Sequence, residues 1–399
     1  MRILKNINKM SFLLALEAFL SIGPYFLWET YSAFKIFDIL KMLLELYILF
    51  KFLKTRNTKI KISIFCMIIS FSLMYLYYIL DEYGGRIQIG LGTIMKAIII
   101  IIFLLQSSNV KKDVFDCFCK IFAISLIPSI AFSVLSILGI NVGGSYIESV
   151  SVIKNLGNQH YLHFPGCVFR ENIYYSPRFK QLCGMFDEPG MVGTISALIL
   201  IAKKFLLKND KTLVIVLMAG ILSMSFAFYL LIVIWSILIL LSNKKLRDKT
   251  ICAMLIMIVI ALLLRNNAIL KQFIFNRLSL VNLINNNRTS TEFDTLFNVF
   301  LKSDTAWILG YGNNNPIFNN VDVSSYKLII YNLGIIGFIL YCGWFAFWGF
   351  FKANRNKMAN ILVICFLISI YQRPWILYLY FIVILFGGIE YLKNCDDKE

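Results

Sequence analysis

The stretch YKLIIYNLGIIGFILYCGWFAFWGF, residues 326–350, is followed directly by the basic segment FKANRNK, residues 351–357. The first part is long enough to cross about 30 Å of hydrocarbon as a helix. Similar apolar runs recur along all 399 residues, and hydrophobic residues make up 59% of the chain. Because a backbone in lipid must satisfy its own hydrogen bonds, these spans are predicted to be helical. The sequence therefore predicts an all-α, polytopic integral membrane protein.

The apolar runs predict about 12 transmembrane helices that form one membrane domain over residues 1–399. The predicted spans lie near residues 10–28, 34–52, 62–80, 88–106, 115–139, 188–206, 212–225, 226–242, 250–265, 326–350, 357–370 and 374–392.

Basic residues are concentrated in the short connections between these spans. Excess Lys and Arg in short loops marks the cytoplasmic side, so both chain ends are predicted to be cytoplasmic. The formal net charge of +17 is then an orientation signal, reinforced by membrane lipid, and a nucleic-acid partner is not predicted. The basic connections are residues 51–61, 109–113, 203–211, 243–249 and 351–357.

Residues 212–242 do not fit simple alternation, because both flanks of this segment are predicted to be cytoplasmic. The chain must then cross an even number of times within a length that barely holds two full spans. Two interpretations stay open: a tight turn at MSFAFY, residues 224–229, between short or tilted helices, or a re-entrant segment.

Two connections are too long to be simple hairpins, at about residues 140–187 and 266–325, and alternation places both outside the cytoplasm. Long ordered loops are usually functional. We expect them to pack together as an external cap over a site at the outer face. Cys167 and Cys183 share the first loop, and an oxidising compartment would permit a disulfide between them, although free thiols are also compatible with the sequence.

The segment RFKQLCGMFDEPGM, residues 178–191, places charge against a predicted membrane boundary. Proline suits the first turn of a helix, so Pro189 is predicted to begin the span with Glu188 at its N-cap. Asp187 and Glu188 would then face the positive end of the helix dipole. This structural interpretation does not explain Arg178, a residue type suited to gripping phosphate through two parallel hydrogen bonds.

At this point the sequence resembles a family. An arginine followed by Gly-hydrophobic-Phe-x-Glu-Pro at the start of a helix, as in RFKQLCGMFDEPGMVG, residues 178–193, is similar to the O-antigen polymerases of the Wzy type, in the superfamily of O-antigen ligases. Further similar segments follow in the same order. They are NRLSLVNLINNNRTSTEFDTLF (276–297), AWILGYGNNNP (306–316) and SSYKLIIYNLGIIGFILY (324–341).

The resemblance implies a glycosyltransferase of the bacterial inner membrane that needs no cofactor and no metal. It implies transfer of a growing glycan from undecaprenyl diphosphate to the next lipid-linked repeat unit, for O-antigen or capsule, alongside a flippase and a chain-length regulator as possible partners. Negative charge grows on the leaving diphosphate, so fixed cations lower the barrier. The resemblance assigns this role to Arg178, Arg277 and Arg288; solvated loop arginines, or salt bridges to Glu292 and Asp294, are the structural alternative.

The identity of a general base is left open. The ligase branch carries a histidine shortly before the tyrosine-containing entry to its tenth span, whereas this chain has Val323, Ser324 and Ser325 there. This departure favours a polymerase. Glu188 is a candidate base, with helix capping as the structural alternative. His160 lies in NQHYLHF, residues 158–164, as a candidate sugar contact or an ordinary loop residue.

The remaining candidate substrate-binding residues come from the matching segments and from the outer entrance of the last predicted span. Within the spans, the spacing of Asp38, Lys41 and Glu45 predicts one helix face on which the charges neutralise one another. Lys96 is predicted to contact a lipid phosphate or Glu45, or to snorkel to the interface. The candidate substrate-binding residues are Lys180, Arg373, Tyr326, Gly310, Gly312 and His160.

Two other functions stay open besides polymerase and ligase. A flippase for lipid-linked oligosaccharide would share the substrate and the number of spans, but it is expected to show two related halves and short external loops. No internal repeat is visible in this sequence. A non-catalytic membrane scaffold would give the three arginines no function.

Overall fold

The computed structural model describes most of the predicted membrane domain and parts of both predicted external loops. The described residues are 8–23, 31–55, 61–79, 91–140, 143–147, 160–171, 180–207, 210–242, 251, 291–303, 305–312, 325–371, 373–374 and 377–396.

Most of these residues are helical. In chain order the helices are α1 (Lys9–Leu20), α2 (Tyr31–Thr55), α3 (Ile62–Ile79), α4 (Leu91–Leu105), α5 (Ser108–Ile137), α6 (Pro189–Ala202), α7 (Lys211–Leu222), α8 (Phe226–Ser242), α9 (Thr291–Leu301), α10 (Ala306–Leu309), α11 (Tyr326–Ala353), α12 (Lys357–Ile370), α13 (Leu379–Ile382) and α14 (Gly388–Asp396), with a π-helical turn, Val383–Gly387, between the last two.

Three of the described helices, α3, α5 and α11, are long and apolar enough to cross a membrane. Each combines a length of 18 residues or more with a strongly apolar window. Five shorter apolar helices accompany them, within α4, α6, α7, α8 and α12. The prediction of a mostly helical protein is therefore confirmed, and the length and composition of these helices are compatible with membrane association. The count of 12 spans stays a prediction, and the predicted span at 250–265 lies almost entirely outside the described residues.

The bundle is organised around α5 and α6. Helix α5 packs against α1, α7 and the π-helical turn, and every residue of α6 is buried. A second contact joins α3 to α11. There the indole nitrogens of Trp344 and Trp348 donate to Ser70 Oγ at 3.1 and 2.9 Å. An apolar interior offers no water to these N–H groups, so one serine hydroxyl satisfies both of them.

The first predicted external loop contains a four-stranded antiparallel β-sheet. Its strands are β1 (Ser145–Ile147), β2 (His160–Phe164), β3 (Cys167–Glu171) and β4 (Gln181–Gly184), in the order β1-β2-β3-β4. Strands β3 and β4 pack against α5, and β4 leads into α6. The prediction of an all-α chain is wrong for this stretch.

The sequence contains two features that specify this sheet, an alternation of side chains and a turn. In β2 and β3 the side chains alternate between two faces: Leu162 and Phe169 join the main core, whereas Tyr161 and Val168 form a separate cluster. Gly166 has φ +79°, which suits the position after a proline in a type II turn, and Pro165 precedes it. The alternation and the Pro-Gly pair therefore specify a hairpin.

Residues 211–242 form two helices, α7 and α8, joined by a tight turn. Met224 lies in that turn with φ +47°, and its N–H donates to Ile221 O at 3.1 Å. The tight turn named by one of the two interpretations is present. Crossing of the membrane by both helices, or re-entry of the segment, stays a prediction. Helix α7 contains 12 residues, about 18 Å of helix, which is shorter than the hydrocarbon core.

Basic side chains meet at the end of the bundle opposite the β-sheet. Lys203, just after α6, hydrogen-bonds to Asp116 near the start of α5, and its ammonium lies 4.1 Å from the centre of the Tyr391 ring. Lys393 Nζ donates to Lys352 O at 3.3 Å. This gathering of positive charge agrees with the predicted cytoplasmic side, and the direction of insertion stays a prediction.

Helix α11 is interrupted at Gly334, and α10 crosses it there. Gly334 has φ +65° and ψ −178°, which is a backbone region that glycine alone enters readily. The break frees two carbonyls of α11. The N–H of Tyr311 donates to Tyr331 O at 2.9 Å, and the N–H of Gly312 donates to Asn332 O at 2.8 Å. The segment after α10 thus satisfies the backbone groups that the break exposes.

We predict that Gly334→Ala destabilises the fold, whereas Gly343→Ala on the same helix does not. A Cβ on Gly334 would lie 2.1 Å from Ile308 O, but one on Gly343 would meet nothing within 4 Å. The backbone conformation alone contributes about 1–3 kcal/mol to the cost. Thermal unfolding of the two variants in the same detergent measures the difference. Equal melting temperatures would contradict the close crossing.

Candidate functional site

The sheet positions the start of α6. After β4 the chain turns at Gly184, with φ +62°, and Phe186 N–H donates to Cys183 O at 3.0 Å. Glu188 follows in an extended conformation at the N-cap position, and Pro189 is the first residue of the helix. The predicted placement of both residues is confirmed. However, the Glu188 side chain makes no capping hydrogen bond, so the expectation that its carboxylate caps the helix through such a bond is wrong.

Glu188 instead pairs with Arg373. Its Oε2 accepts a hydrogen bond from Arg373 Nη1, which joins the start of α6 to the segment after α12. The Arg373 backbone is held by a 2.9 Å hydrogen bond from its N–H to Ser369 O. The side chains of Arg373 and Glu188 are 3% and 18% exposed, so this is a largely buried ion pair. Two residues predicted separately, 185 positions apart, thus meet.

The Arg373 guanidinium has unused hydrogen-bonding capacity. Its Nε and Nη2 are buried and have no acceptor among the described residues. A guanidinium is always charged, and leaving its N–H groups without an acceptor in a dry environment is costly. The neighbouring residues 172–179, 372 and 375–376 lie outside the described part. Within that part, this geometry suits an oxygen-rich anion.

Tyrosines surround the segment that carries Arg373. The rings of Tyr326 and Tyr371 stack at 5.2 Å, and the N–H of Tyr326 donates to Tyr371 O at 3.3 Å. Tyr341 Oη donates to Pro374 O at 2.5 Å. Helix α11 therefore fixes the backbone on both sides of Arg373. The structure places the predicted residue Tyr326 beside this segment, together with Glu188 and Arg373.

The predicted binding residues Gly310 and Gly312 have a structural function. Gly310 has φ +88°, and a Cβ there would lie 2.2 Å from Asn332 O, at the crossing of α10 and α11. Gly312, with φ +83°, makes the second backbone hydrogen bond of that crossing. The Gly-x-Gly pattern is therefore explained by close backbone packing. A role in substrate binding stays a prediction.

Helix α9 anchors the second predicted external loop to the bundle. Phe293 and Phe300 pack on Tyr331 of α11, with ring centres 5.6 and 5.0 Å away. Asp294 Oδ1 accepts a hydrogen bond from Lys327 Nζ at 2.8 Å. Asp294, proposed above as a partner for a loop arginine, is thus paired with a lysine of α11.

Several predicted site residues are not placed by these contacts. Arg178, Arg277 and Arg288 lie outside the described residues, and their predicted role stays a prediction. His160 begins β2, but its side chain is outside the described part. Lys180 directly precedes β4 and is half-buried. Among the described residues, no group of three or more His, Cys, Asp or Glu side chains could hold a metal ion.

Cys167 and Cys183 are free thiols on opposite faces of the sheet. Cys167 belongs to the main core, whereas Cys183 packs with Tyr161 and Val168 on the other face. Burial raises the pKa of Cys167 to about 11, and burial also raises the pKa of Cys183. Both are therefore protonated near neutral pH. Neither side chain reaches the other without rearrangement of the strands.

In comparisons with known proteins, no family model, no curated protein and no solved structure matches this chain.

We expect the Glu188–Arg373 pair to show strong coupling in a double-mutant cycle. Glu188→Gln leaves the buried guanidinium without its counter-charge, at a cost of about 3–5 kcal/mol. Arg373→Gln leaves the carboxylate alone at a similar cost. The double variant removes both charges, so its loss of unfolding free energy should be well below the sum of the single losses. Chemical unfolding in detergent gives all four values, and additive losses would argue against the pair.

We also expect Cys167 and Cys183 to resist alkylation until the protein is unfolded. Burial and a raised pKa both lower the thiolate fraction that reacts. Mass spectrometry of peptides from samples labelled before and after denaturation, without reductant, measures the change. Cys395, partly exposed near the end of α14, serves as the internal control for access. Failure of both buried thiols to label even after denaturation would indicate a disulfide.

Proposed function

We propose that this protein polymerises lipid-linked oligosaccharide repeat units in the synthesis of a bacterial surface polysaccharide, O-antigen or capsule. In this proposal it transfers the growing glycan from undecaprenyl diphosphate to the next lipid-linked unit at the outer face of the inner membrane. Both chain ends are cytoplasmic, and the sheet and helices α9 and α10 belong to the external cap. The order of the sequence segments that resemble O-antigen polymerases supports this assignment.

The observation that carries the proposal is the Arg373 guanidinium, which is buried against Glu188 and has Nε and Nη2 without acceptors among the described residues. These two N–H groups are adjacent on one edge of the guanidinium plane, which is the arrangement that binds two phosphate oxygens. The N-terminus of α6 lies at the same place and adds its positive dipole. A diphosphate headgroup supplies the oxygens that this environment favours.

In the proposed reaction the acceptor hydroxyl oxygen forms a bond to the anomeric carbon of the donor glycan. The bond from that carbon to the diphosphate oxygen breaks, and its electron pair leaves with the diphosphate. The hydroxyl proton passes to a base. Because negative charge grows on the leaving diphosphate, a cation already fixed in place lowers the barrier. Arg373 is such a cation, and Arg178, Arg277 and Arg288 are the further candidates in the cap.

Glu188 orients Arg373 in this proposal. One carboxylate oxygen accepts from Nη1, so the guanidinium plane is fixed and its Nε–Nη2 edge is presented in one direction. An ionised carboxylate can accept a proton, so a role as general base is compatible with the pair and stays a prediction.

The test is the gel profile of surface glycan from the source bacterium after deletion of the gene. The gene is restored as wild type, Arg373→Gln, Arg178→Ala or Arg355→Gln. Arg355 is exposed, just after α11 at the end of the bundle opposite the sheet, so it is the matched arginine control. Membrane levels of each variant are compared by immunoblot. We expect deletion to leave acceptors capped by a single repeat unit, and wild type and Arg355→Gln to restore the ladder.

We expect Arg373→Gln and Arg178→Ala to restore little or no ladder at normal membrane levels. A normal ladder from Arg373→Gln would remove Arg373 from the site. If deletion instead causes polymer to accumulate on undecaprenyl diphosphate with none on the acceptor, the protein is a ligase. Unpolymerised units trapped on the cytoplasmic face would identify a flippase. An unchanged profile after deletion would refute all three functions.

A further inference from the structure

Four charged side chains from three helices line one small cavity inside the helical bundle. Glu17 lies on α1, Lys41 and Glu45 lie on α2, and Lys96 lies on α4. The cavity measures about 20 Å³, room for about one water molecule. It is therefore too small for a sugar or a lipid headgroup. The other residues that line the cavity are Ser21, Ile99, Ile100, Leu377, Tyr378 and Leu379.

Lys41 is shared between the two carboxylates. Its Nζ lies 3.2 Å from Glu45 Oε1 and 3.6 Å from Glu17 Oε1. The pairing of Lys41 with Glu45 confirms the sequence prediction for this helix face. Asp38, expected to join them, is exposed and makes no ion pair with a described residue. The second carboxylate is supplied by Glu17 of α1, which the sequence pattern on α2 did not indicate.

The charges in contact do not balance. Glu17 and Glu45 are 2% and 4% exposed, and together with Lys41 they give two carboxylates and one ammonium. Lys96 lines the cavity but makes no ion pair with a described residue. If both carboxylates were ionised, the contacting group would keep one net negative charge inside an apolar bundle, which is costly.

The hydrogen bonds of the carboxyl groups also indicate that a proton is missing from this group. Glu17 Oε2 is buried and has no hydrogen-bond donor among the described residues. The Glu17 and Glu45 carboxyl groups lie within hydrogen-bonding reach of each other. Ionised carboxylates only accept hydrogen bonds, so no bond can form between them unless one carries a proton. A single proton between them supplies the missing donor and removes the net charge.

We propose that Glu17 and Glu45 form a proton-binding site in which the two carboxyl groups share one proton beside the Lys41 ammonium. The proton belongs to the pair rather than to either residue. The other charged or titratable groups near it are Asp38 of α2, Lys96 of α4 and Tyr378 before α13. Helix α5, which also packs on α1, carries its charged residues toward the opposite end of the bundle, at Lys111, Lys112, Asp113, Asp116 and Lys120.

The proton site adjoins the candidate functional site. Tyr378 lines the cavity and lies within electrostatic range of both Lys41 and Asp187, the residue before Glu188. The same short segment connects Arg373 to the last helices of the bundle. Loss of the proton would therefore leave a net negative charge in the cavity that Tyr378 lines, and Tyr378 follows Arg373 closely in the chain. The proton site rests on its own contacts, independently of the proposed glycan transfer.

The test is infrared spectroscopy of the purified full-length protein in detergent, at neutral pH, in H₂O and D₂O. A protonated carboxyl group gives a C=O stretch that is separate from that of a carboxylate and shifts in D₂O. We expect wild type to show such a band, and Glu17→Gln and Glu45→Gln each to lose the contribution of the pair entirely. In either variant the remaining carboxylate pairs with Lys41 and stays ionised. Asp38→Asn is the matched control on α2 and should leave the band unchanged.

Two lysine variants separate the proposal from a purely ionic cluster. Lys41→Met removes the ammonium, so both carboxyl groups should become protonated and the contribution of the pair should about double. Lys96→Met should leave the intensity of the C=O band unchanged. The proposal is overturned if neither glutamine variant removes intensity, or if the band is absent in wild type and appears only in Lys96→Met. That last result would mean that Lys96, and not a proton, neutralises the second carboxylate. Size-exclusion profiles verify that each variant is folded.

Discussion

An apolar bundle offers no water to a backbone amide, an indole N–H or a charged group, and this constraint accounts for the main features of the structure. Helices satisfy most of the backbone within single segments. Where α11 breaks at Gly334, the exposed carbonyls are taken by the N–H groups of Tyr311 and Gly312. Where two tryptophans of α11 meet α3, Ser70 accepts from both of them. Each polar group fixes a contact between helices that apolar packing alone would leave free to slide.

The same constraint applies to charged groups whose hydrogen bonds are incomplete, and it indicates what each of them would bind. Arg373 is paired with Glu188 but keeps two N–H groups without acceptors among the described residues. Glu17 shares Lys41 with Glu45 but keeps one oxygen without a donor in that same part of the chain. Within the described residues, the Arg373 guanidinium lacks acceptor oxygens for these N–H groups, whereas the pair of Glu17 and Glu45 lacks a proton. They call for opposite kinds of ligand, and Tyr378, which lines the cavity beside Glu17 and Glu45, follows Arg373 closely in the chain.

The candidate site was only partly predictable. Glu188 at the N-cap and Pro189 at the first helical position follow from local rules, because proline fixes the backbone that a first turn needs. Arg373 was expected at the outer entrance of the last span, but its contact with Glu188 joins residues 185 positions apart. The Gly-x-Gly segment was interpreted as a binding element, yet its glycines are required by the approach of α10 to α11. The hairpin at Pro165 and Gly166 was missed, although the turn residues and the alternation of side chains were present.

The sequence by itself determined the apolar composition, the helical character and the end of the bundle at which positive charge collects. These depend on composition and on spacing along a single helix, which any stretch of the chain carries on its own. Only the tertiary structure decided which charges meet: Glu188 with Arg373, Lys203 with Asp116, and Lys41 with Glu17 as well as Glu45. An ionic partner is set by how helices rotate and cross when they pack. That arrangement depends on the whole apolar core and is encoded in no single segment.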